Sequence, residues 1–121
     1  MMAYEKFEAW QSAHRLALEV FDHTHHWHRT ELYVLTAQVR RAALSIPTNI
    51  AEGAAKRGNR EFSRYLGIAL GSSSGLSYLL RFSHDRGLLQ QPQWQSLEDL
   101  RSLTGRLVYG LYRKLRLGIS P

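Results

Sequence analysis

The feature that most constrains the fold of this chain is an apolar stripe that runs through residues 32–57. Its members recur at alternating steps of three and four residues, which is the spacing of one face of an α-helix and not of a β-strand. They are Leu32, Leu35, Val39, Ala42, Ile46 and Ile50. Because polar side chains fall largely off this stripe, we predict an amphipathic helix that packs against other helices.

Pro47 lies within this predicted helix. A proline has no N–H to donate and its ring crowds the carbonyl of Ala43, which costs about 3 kcal/mol unless the helix bends. The stripe continues at Ile50, so the sequence predicts a kink at Pro47, with a break capped by Ser45 as the alternative. The helix is predicted to end at residues 56–58, where cations suit the helix dipole and glycine permits the turn.

Three further helices are predicted around this one. The first runs from about Tyr4 to Trp27, and the third from an N-cap at Asn59 to about Arg86. The fourth begins near Pro92, which suits a first helical turn. Its predicted apolar seam is Leu97, Leu100, Leu103, Leu107, Leu111 and Leu115. We therefore predict an all-α, antiparallel up-down-up-down four-helix bundle in a single domain, residues 1–121.

The third helix carries glycines four residues apart, at Gly67, Gly71 and Gly75. Each costs a helix about 1 kcal/mol relative to alanine. The spacing puts all three on nearly one face, where another helix can come close. We expect a tight contact there, either within the subunit or between subunits. The buried stripe of this helix is predicted at Phe62, Leu66, Ala69, Ser73, Leu76 and Leu80.

The composition and the motif inventory argue against several classes of protein. The absence of cysteine excludes disulfides and thiolate metal sites. No apolar run approaches the roughly 20 residues that span a bilayer, and the N-terminus lacks a signal peptide's regions, so we expect a cytoplasmic protein. No phosphate-loop, dinucleotide-binding, zinc-protease or nucleophile-elbow motif is present. We therefore expect neither an enzyme nor a cofactor.

Histidines offer the only hints of other chemistry. Four of them cluster near the end of the first helix, at His23, His25, His26 and His28. Two could share a helix face and coordinate a metal. No third type of ligand is near, so we favour cations at a helix C-terminus and predict no metal site. His14 and Glu52 could form an acid–base pair, although a structural hydrogen bond is the favoured interpretation.

The net charge of +6 is concentrated in the second half of the chain. Residues 56–121 contain eleven Lys or Arg against four Asp or Glu, whereas residues 1–55 contain five against six. Alternating helix directions bring the turn between the second and third helices to the same end as the C-terminus of the fourth. The cations expected there are Lys56, Arg57, Arg60, Arg64, Arg113, Lys114 and Arg116, while Arg81 and Arg86 belong to the other end. Such an end suits a phosphate polymer, and solvated surface charge is the alternative.

Arg40 and Arg41 are interpreted differently, because they lie in mid-helix beside the apolar stripe. We expect them to form ion pairs with Glu52, with an acidic residue of the first helix or with a neighbouring subunit.

Residues 35–53, LTAQVRRAALSIPTNIAEG, closely resemble the signature LTxQxRRAAxSIPxNIAEG of the 23S rRNA intervening-sequence proteins, a bacterial four-helix-bundle family. Flanking matches are FEAWQ at 7–11, EFSRYL at 61–66 and IALGS at 68–72. The resemblance implies a homopentamer of four-helix subunits with no established catalytic activity. A distant relative, the accessory variability determinant of diversity-generating retroelements, works with a reverse transcriptase and RNA.

One departure from the family pattern bears on function. The family usually has glutamates where this chain has Gly75 and Ser77, and an acidic residue where it has Arg81. The leading hypothesis is therefore a non-enzymatic oligomer that binds structured RNA or DNA through its basic end. The alternatives are a structural or protein-interaction oligomer without a nucleic-acid role, and a metalloprotein that uses the histidine cluster.

Overall fold

The computed structural model describes residues 1–121 apart from the side chain of Glu31. The helices are α1 (Glu8–Thr24), α2 (Tyr33–Ala54), α3 (Gly58–Asp85) and α4 (Gln91–Arg116). Short 3-10 helices at Ala3–Lys6 and Thr30–Leu32 precede α1 and α2, and the described chain contains no strand. The predicted all-α class is confirmed. None of these helices combines the length and the apolar character that a bilayer crossing requires.

The helices form a closed ring of neighbours. Each packs against the next along the chain, and α1 also packs against α4. Polar pairs cross these interfaces: Ser12 and Thr104 join α1 to α4 at 2.6 Å, and Ser45 and Ser72 join α2 to α3 at 2.7 Å. Between α3 and α4, Ser77 donates to the Glu98 carboxylate. This arrangement is a four-helix bundle, as predicted.

The start of α3 lies beside the end of α4. Asn59 Nδ2 donates a hydrogen bond to the carbonyl of Ile119 at 3.3 Å, and Gly67 faces the ring of Tyr112. Further along α3, Ser73 accepts a hydrogen bond from Arg101 Nη1. Later residues of α3 thus meet earlier residues of α4. This pairing brings the cations predicted at the start of α3 close to those predicted at the end of α4.

The core follows the predicted stripe of α3 but departs from that of α4. All six predicted positions of α3 are buried. In α4, Leu103 is 42% exposed, and Thr104 is fully buried in its place because its hydroxyl is paired with Ser12. The side chains of α4 that are fully or almost fully buried are Leu97, Thr104, Val108 and Leu115. The prediction for Leu103 was wrong, since a threonine with a hydrogen-bond partner tolerates the interior.

The structure refines the predicted helix ends. Asn59 is not the N-cap of α3, because Arg57 holds that position and Asn59 already lies in the first turn. α1 ends at Thr24 instead of Trp27, and Trp27, in the segment that follows, is only 7% exposed. Gly87 follows α3 with a φ of +79°, a backbone conformation that favours glycine.

α2 continues without a break through Pro47, which is buried. The alternative of a break capped by Ser45 is therefore wrong. Asn49 Nδ2 instead donates to the Ser45 carbonyl at 2.8 Å, beside the position where proline removes a backbone donor. The kink at Pro47 stays a prediction, as does the up-down alternation of all four helices.

The close approach predicted for the α3 glycines is not found within the subunit. A Cβ built at Gly71 or Gly75 meets no described atom within 4 Å, and one at Gly67 meets only Tyr112 at 3.8 Å. The tight glycine contact is at Gly53 in α2, where a Cβ would lie 2.8 Å from both Phe62 and Tyr65. A contact of the α3 glycines between subunits stays a prediction.

Candidate nucleic-acid interface

A broad groove of about 1080 Å³ lies where the start of α3 meets the end of α4. We call it the α3–α4 groove. Its lining residues are Arg60, Glu61, Ser63, Arg64, Gly67, Tyr112, Leu115, Arg116 and Gly118. Three of the seven cations predicted for the basic end therefore share one surface, and they come from the start of α3 and the end of α4.

Local structure explains why these side chains converge. Arg60 and Arg64 are four residues apart in the first turns of α3, so they lie on one face of the helix. Arg116 ends α4, and Gly118 then reverses the chain with a φ of +77°, which brings the Ile119 carbonyl to Asn59. The C-terminal residues close one side of the groove.

Arg64 is oriented by an acidic neighbour. Its Nε donates to Glu61 Oε2 at 2.8 Å, and both side chains stay about half exposed. This hydrogen bond holds the pKa of Glu61 below its ordinary value, helped by the charges of Arg64, Lys56 and Arg60. The same bond raises the pKa of Arg64. Glu61 therefore stays ionised and offsets part of the positive charge of the groove.

Two tyrosines provide aromatic surface among the cations. The Arg64 guanidinium lies 4.6 Å from the centroid of the Tyr65 ring, and Lys56 Nζ lies 5.6 Å from it. Arg116 lies 5.8 Å from the centroid of the Tyr112 ring. These are cation–π distances. Sequence reasoning missed both tyrosines, although the four-residue step from Tyr112 to Arg116 on a predicted helix is a signal that could have found one of them.

The other predicted cations of this end lie outside the groove. Arg57 is the exposed residue before α3, and Lys56 reaches Tyr65 from the preceding turn. Arg113 is exposed, and Lys114 lines a separate, smaller cavity between α1 and α4. Arg81, placed by sequence at the other end, pairs with Asp85 at 3.1 Å and takes no part in the groove.

Arg40 and Arg41 differ although they are adjacent. Arg40 is half-buried, its Nε donates to Thr24 Oγ1 at 2.9 Å, and its guanidinium lies 4.6 Å from the centroid of Phe21. Arg41 is exposed, as is Glu52. Neither arginine forms an ion pair among the described side chains, so pairing with a neighbouring subunit stays a prediction.

Among the described residues, the histidines do not come together as a metal site. His23 Nδ1 donates to the Glu19 carbonyl at 2.8 Å, and the rings of His25 and His28 meet edge to face. Within the described side chains, no group of three or more His, Asp or Glu could hold a metal ion. His14 stacks on Trp10 at 4.8 Å, so its contact is aromatic and not the imagined pair with Glu52.

Comparison with known proteins agrees with this architecture. A solved structure from Bacteroides thetaiotaomicron, a protein of unknown function from the S23 ribosomal protein family, superposes with a TM-score of 0.80. The two chains are 18% identical, and the match covers 87% of this chain and 98% of that one. No curated protein matches the sequence. The model of the 23S rRNA-intervening sequence protein family matches residues 5–110, and the chain therefore belongs to that family.

Proposed function

We propose that this protein acts by binding and not by catalysis, and that the α3–α4 groove binds the backbone of RNA or DNA. The observation that carries the proposal is the convergence of Arg60, Arg64 and Arg116 on one open surface beside Tyr112. Arginines supply forked donors to phosphate oxygens, and each phosphate contact releases counterions.

The aromatic rings favour nucleic acid with unpaired bases. Tyr65 and Tyr112 are both half-buried beside cations, so each combines an aromatic face with positive charge. Single-stranded and loop regions are recognised by such faces, on which a base can stack while the arginines follow the backbone. A hairpin with an unpaired loop satisfies both requirements better than a continuous duplex does.

Self-association extends this proposal. Several apolar side chains of α3 and α4 are exposed on the subunit surface, including Ile68, Tyr78, Leu103 and Tyr109. Exposed apolar area of this kind favours an interface with another chain. We propose a homo-oligomer, a pentamer by resemblance to the family, in which the groove recurs once per subunit and enlarges the positive field.

Fluorescence anisotropy with labelled hairpin RNA, single-stranded RNA and duplex DNA, over a range of salt concentrations, tests the proposal. The variant Arg60→Gln/Arg64→Gln/Arg116→Gln should bind hairpin RNA at least tenfold more weakly and show a shallower salt dependence, because fewer phosphates are contacted. The matched control is Arg81→Gln/Arg86→Gln/Arg106→Gln, which removes the same charge outside the groove. Equal losses of affinity in both variants would refute the groove as the binding site and would show that net charge alone accounts for binding.

The alternative function, a protein-interaction oligomer, rests on the same exposed apolar residues. It predicts that the wild-type protein binds all three nucleic acids weakly and without preference. Light scattering after gel filtration measures the mass of the assembly independently. A single-chain mass at micromolar concentration would overturn self-association, both for the nucleic-acid proposal and for the protein-interaction alternative.

A further inference from the structure

A second, smaller cavity of about 340 Å³ lies between the end of α1 and the start of α2, apart from the α3–α4 groove. We call it the α1–α2 cavity. The described residues that line it are Thr24, His25, Trp27, His28, Tyr33, Thr36 and Arg40. Its volume is at the lower end of the range for ligand pockets, which suits a molecule of modest size.

Two polar atoms of this cavity are buried without a partner. Across the described chain only three buried side-chain nitrogen or oxygen atoms lack a hydrogen bond, and two of them are Trp27 Nε1 and Thr36 Oγ1. Trp27 is only 7% exposed, so solvent does little to satisfy its indole N–H. A buried polar group without a partner costs free energy, and such groups in native proteins call for an explanation. Both residues line the same cavity, so one ligand could satisfy both.

The cation in the cavity is already held in place. Thr24 Oγ1 accepts the hydrogen bond of Arg40 Nε, and Phe21 supports the guanidinium from its face. Thr24 is itself fixed, because its hydroxyl donates to the Val20 carbonyl at 2.9 Å. The two terminal nitrogens of Arg40 have no hydrogen-bond partner among the described residues. A guanidinium fixed in this way loses little further freedom when it binds.

The donor set selects the charge of the ligand. The guanidinium and the indole are donors only, and the described lining includes no carboxylate. Thr36 can donate, and His25 and His28 can do so from a ring nitrogen. An oxyanion would therefore meet donors from several directions. We propose that the α1–α2 cavity binds a small molecule through a carboxylate or phosphate group, with Arg40, Trp27 and Thr36 as its ligating residues.

The test uses the full chain, labelled with ¹⁵N, and follows the indole N–H signal of Trp27 by nuclear magnetic resonance. Inorganic phosphate and acetate are titrated separately at constant ionic strength. We expect the signal to shift and saturate in the millimolar range or below. A response to phosphate alone, or to acetate alone, supports the site and identifies which group it prefers. No response to either would overturn the proposal.

Variants separate this site from general surface charge. Arg40→Gln should weaken binding about tenfold or more, since it removes charge-assisted hydrogen bonds. Arg41→Gln, one residue away and exposed, and Arg86→Gln, which lines the neighbouring cavity beside Trp27, should bind as the wild type does. Equal weakening by Arg41→Gln or Arg86→Gln would refute the assignment.

Thr36→Val keeps the test decisive if Arg40→Gln fails to fold. The valine has the shape of threonine without its hydroxyl, so it removes one ligating group and one unsatisfied buried atom together. Binding should weaken several-fold while the thermal unfolding temperature stays the same or rises. Unchanged binding by a folded Thr36→Val would overturn the proposal.

Discussion

The α3–α4 groove and the α1–α2 cavity both present arginine, but they hold it in opposite ways. In the groove, the Arg64 side chain is 57% exposed and is bound to Glu61 of its own helix. In the cavity, Arg40 is half-buried, is held by an uncharged hydroxyl and lacks a described acidic partner. Exposed charges are screened by salt and exchange contacts easily, whereas desolvated charges interact more strongly at short range.

This difference indicates two kinds of ligand. A wide, open groove with several weak cationic contacts suits a polymer that brings many phosphates at once. A small cavity with one oriented cation and two buried donors suits a single anionic group. Changing one region and measuring ligand binding at the other tests this contrast.

The largest effect is expected from Gly53→Ala. The new Cβ would lie 2.8 Å from Phe62 Cδ1 and Tyr65 Cβ, so α2 and α3 must move apart. We expect the free energy of unfolding to fall by about 1–3 kcal/mol, the usual cost of overpacking. Nucleic-acid affinity should fall as well because Tyr65 shifts, while the response of Trp27 to phosphate is retained. Urea denaturation and both binding assays measure this.

Gly71→Ala is the matched control for that substitution. Gly71 lies in the interior of α3 with free space around its Cβ position, so alanine should stabilise the dilute subunit by about 0.5–1 kcal/mol. If the α3 glycines pack between subunits, the same substitution should weaken association in light scattering. A loss of stability in the dilute subunit would contradict the open space described at this position.

Arg40→Gln should destabilise the fold more than Arg64→Gln does. Arg40 loses a half-buried hydrogen bond to Thr24 and a cation–π contact with Phe21, together about 1–2 kcal/mol. Arg64 is exposed, and its pair with Glu61 should contribute little because solvent screens it. Thermal unfolding of the two variants measures the difference. Equal destabilisation would show that burial does not distinguish the two arginines.

Tyr112→Leu isolates the aromatic part of the groove. The leucine keeps apolar bulk and leaves every charge in place, but no base can stack on it. We expect affinity for a hairpin loop to fall about five- to tenfold, with the salt dependence unchanged. Tyr33→Leu is the control, since Tyr33 is exposed at the start of α2, outside the groove. A changed salt dependence in Tyr112→Leu would mean that Arg116 had moved with it.

The smallest effect concerns the Glu61 carboxyl group. Arg64 holds the pKa of Glu61 below its ordinary value of 4.5, so Arg64→Gln should raise it towards that value. A carboxyl with a lowered folded pKa stabilises the protein above its unfolded pKa, and this contribution is lost as the pH falls through the folded pKa. The stability difference between the wild type and Arg64→Gln should therefore disappear in acid. Titration of the carboxyl carbon resonance follows the pKa directly.

Sequence reasoning reached the fold more completely than the sites, and α3 and α4 show why. All six positions that helical spacing chose in α3 are buried, because apolar or small residues recur on that face, but Ser63 and Ser83 are buried as well and were not chosen. In α4 the same reasoning chose Leu103 over Thr104, since spacing cannot show that Ser12 of a distant helix will satisfy a hydroxyl. Periodicity describes one helix at a time.

The same limit explains why one of the two sites could be predicted from the sequence and the other could not. Chain direction alone placed Arg60, Arg64 and Arg116 at one end, and the structure puts them on one surface. The α1–α2 cavity was not predicted, because it depends on where Trp27 packs after α1 ends early. The conformation of such a connecting segment is fixed by tertiary packing, which no local pattern in the sequence encodes.

The hydroxyl pairs between helices also determine the axial register of the bundle. Ser12 with Thr104 and Ser45 with Ser72 each match two short side chains at one height along neighbouring helices. Sliding either pair of helices by a turn would keep much of the apolar burial but would leave the buried Thr104 hydroxyl or the half-buried serine hydroxyls without these partners. Apolar packing makes the helices associate, and the hydroxyls select one alignment. Between α3 and α4 the Ser77 hydroxyl is matched in the same way with the Glu98 carboxylate, so this pair helps to position the arginines of the groove.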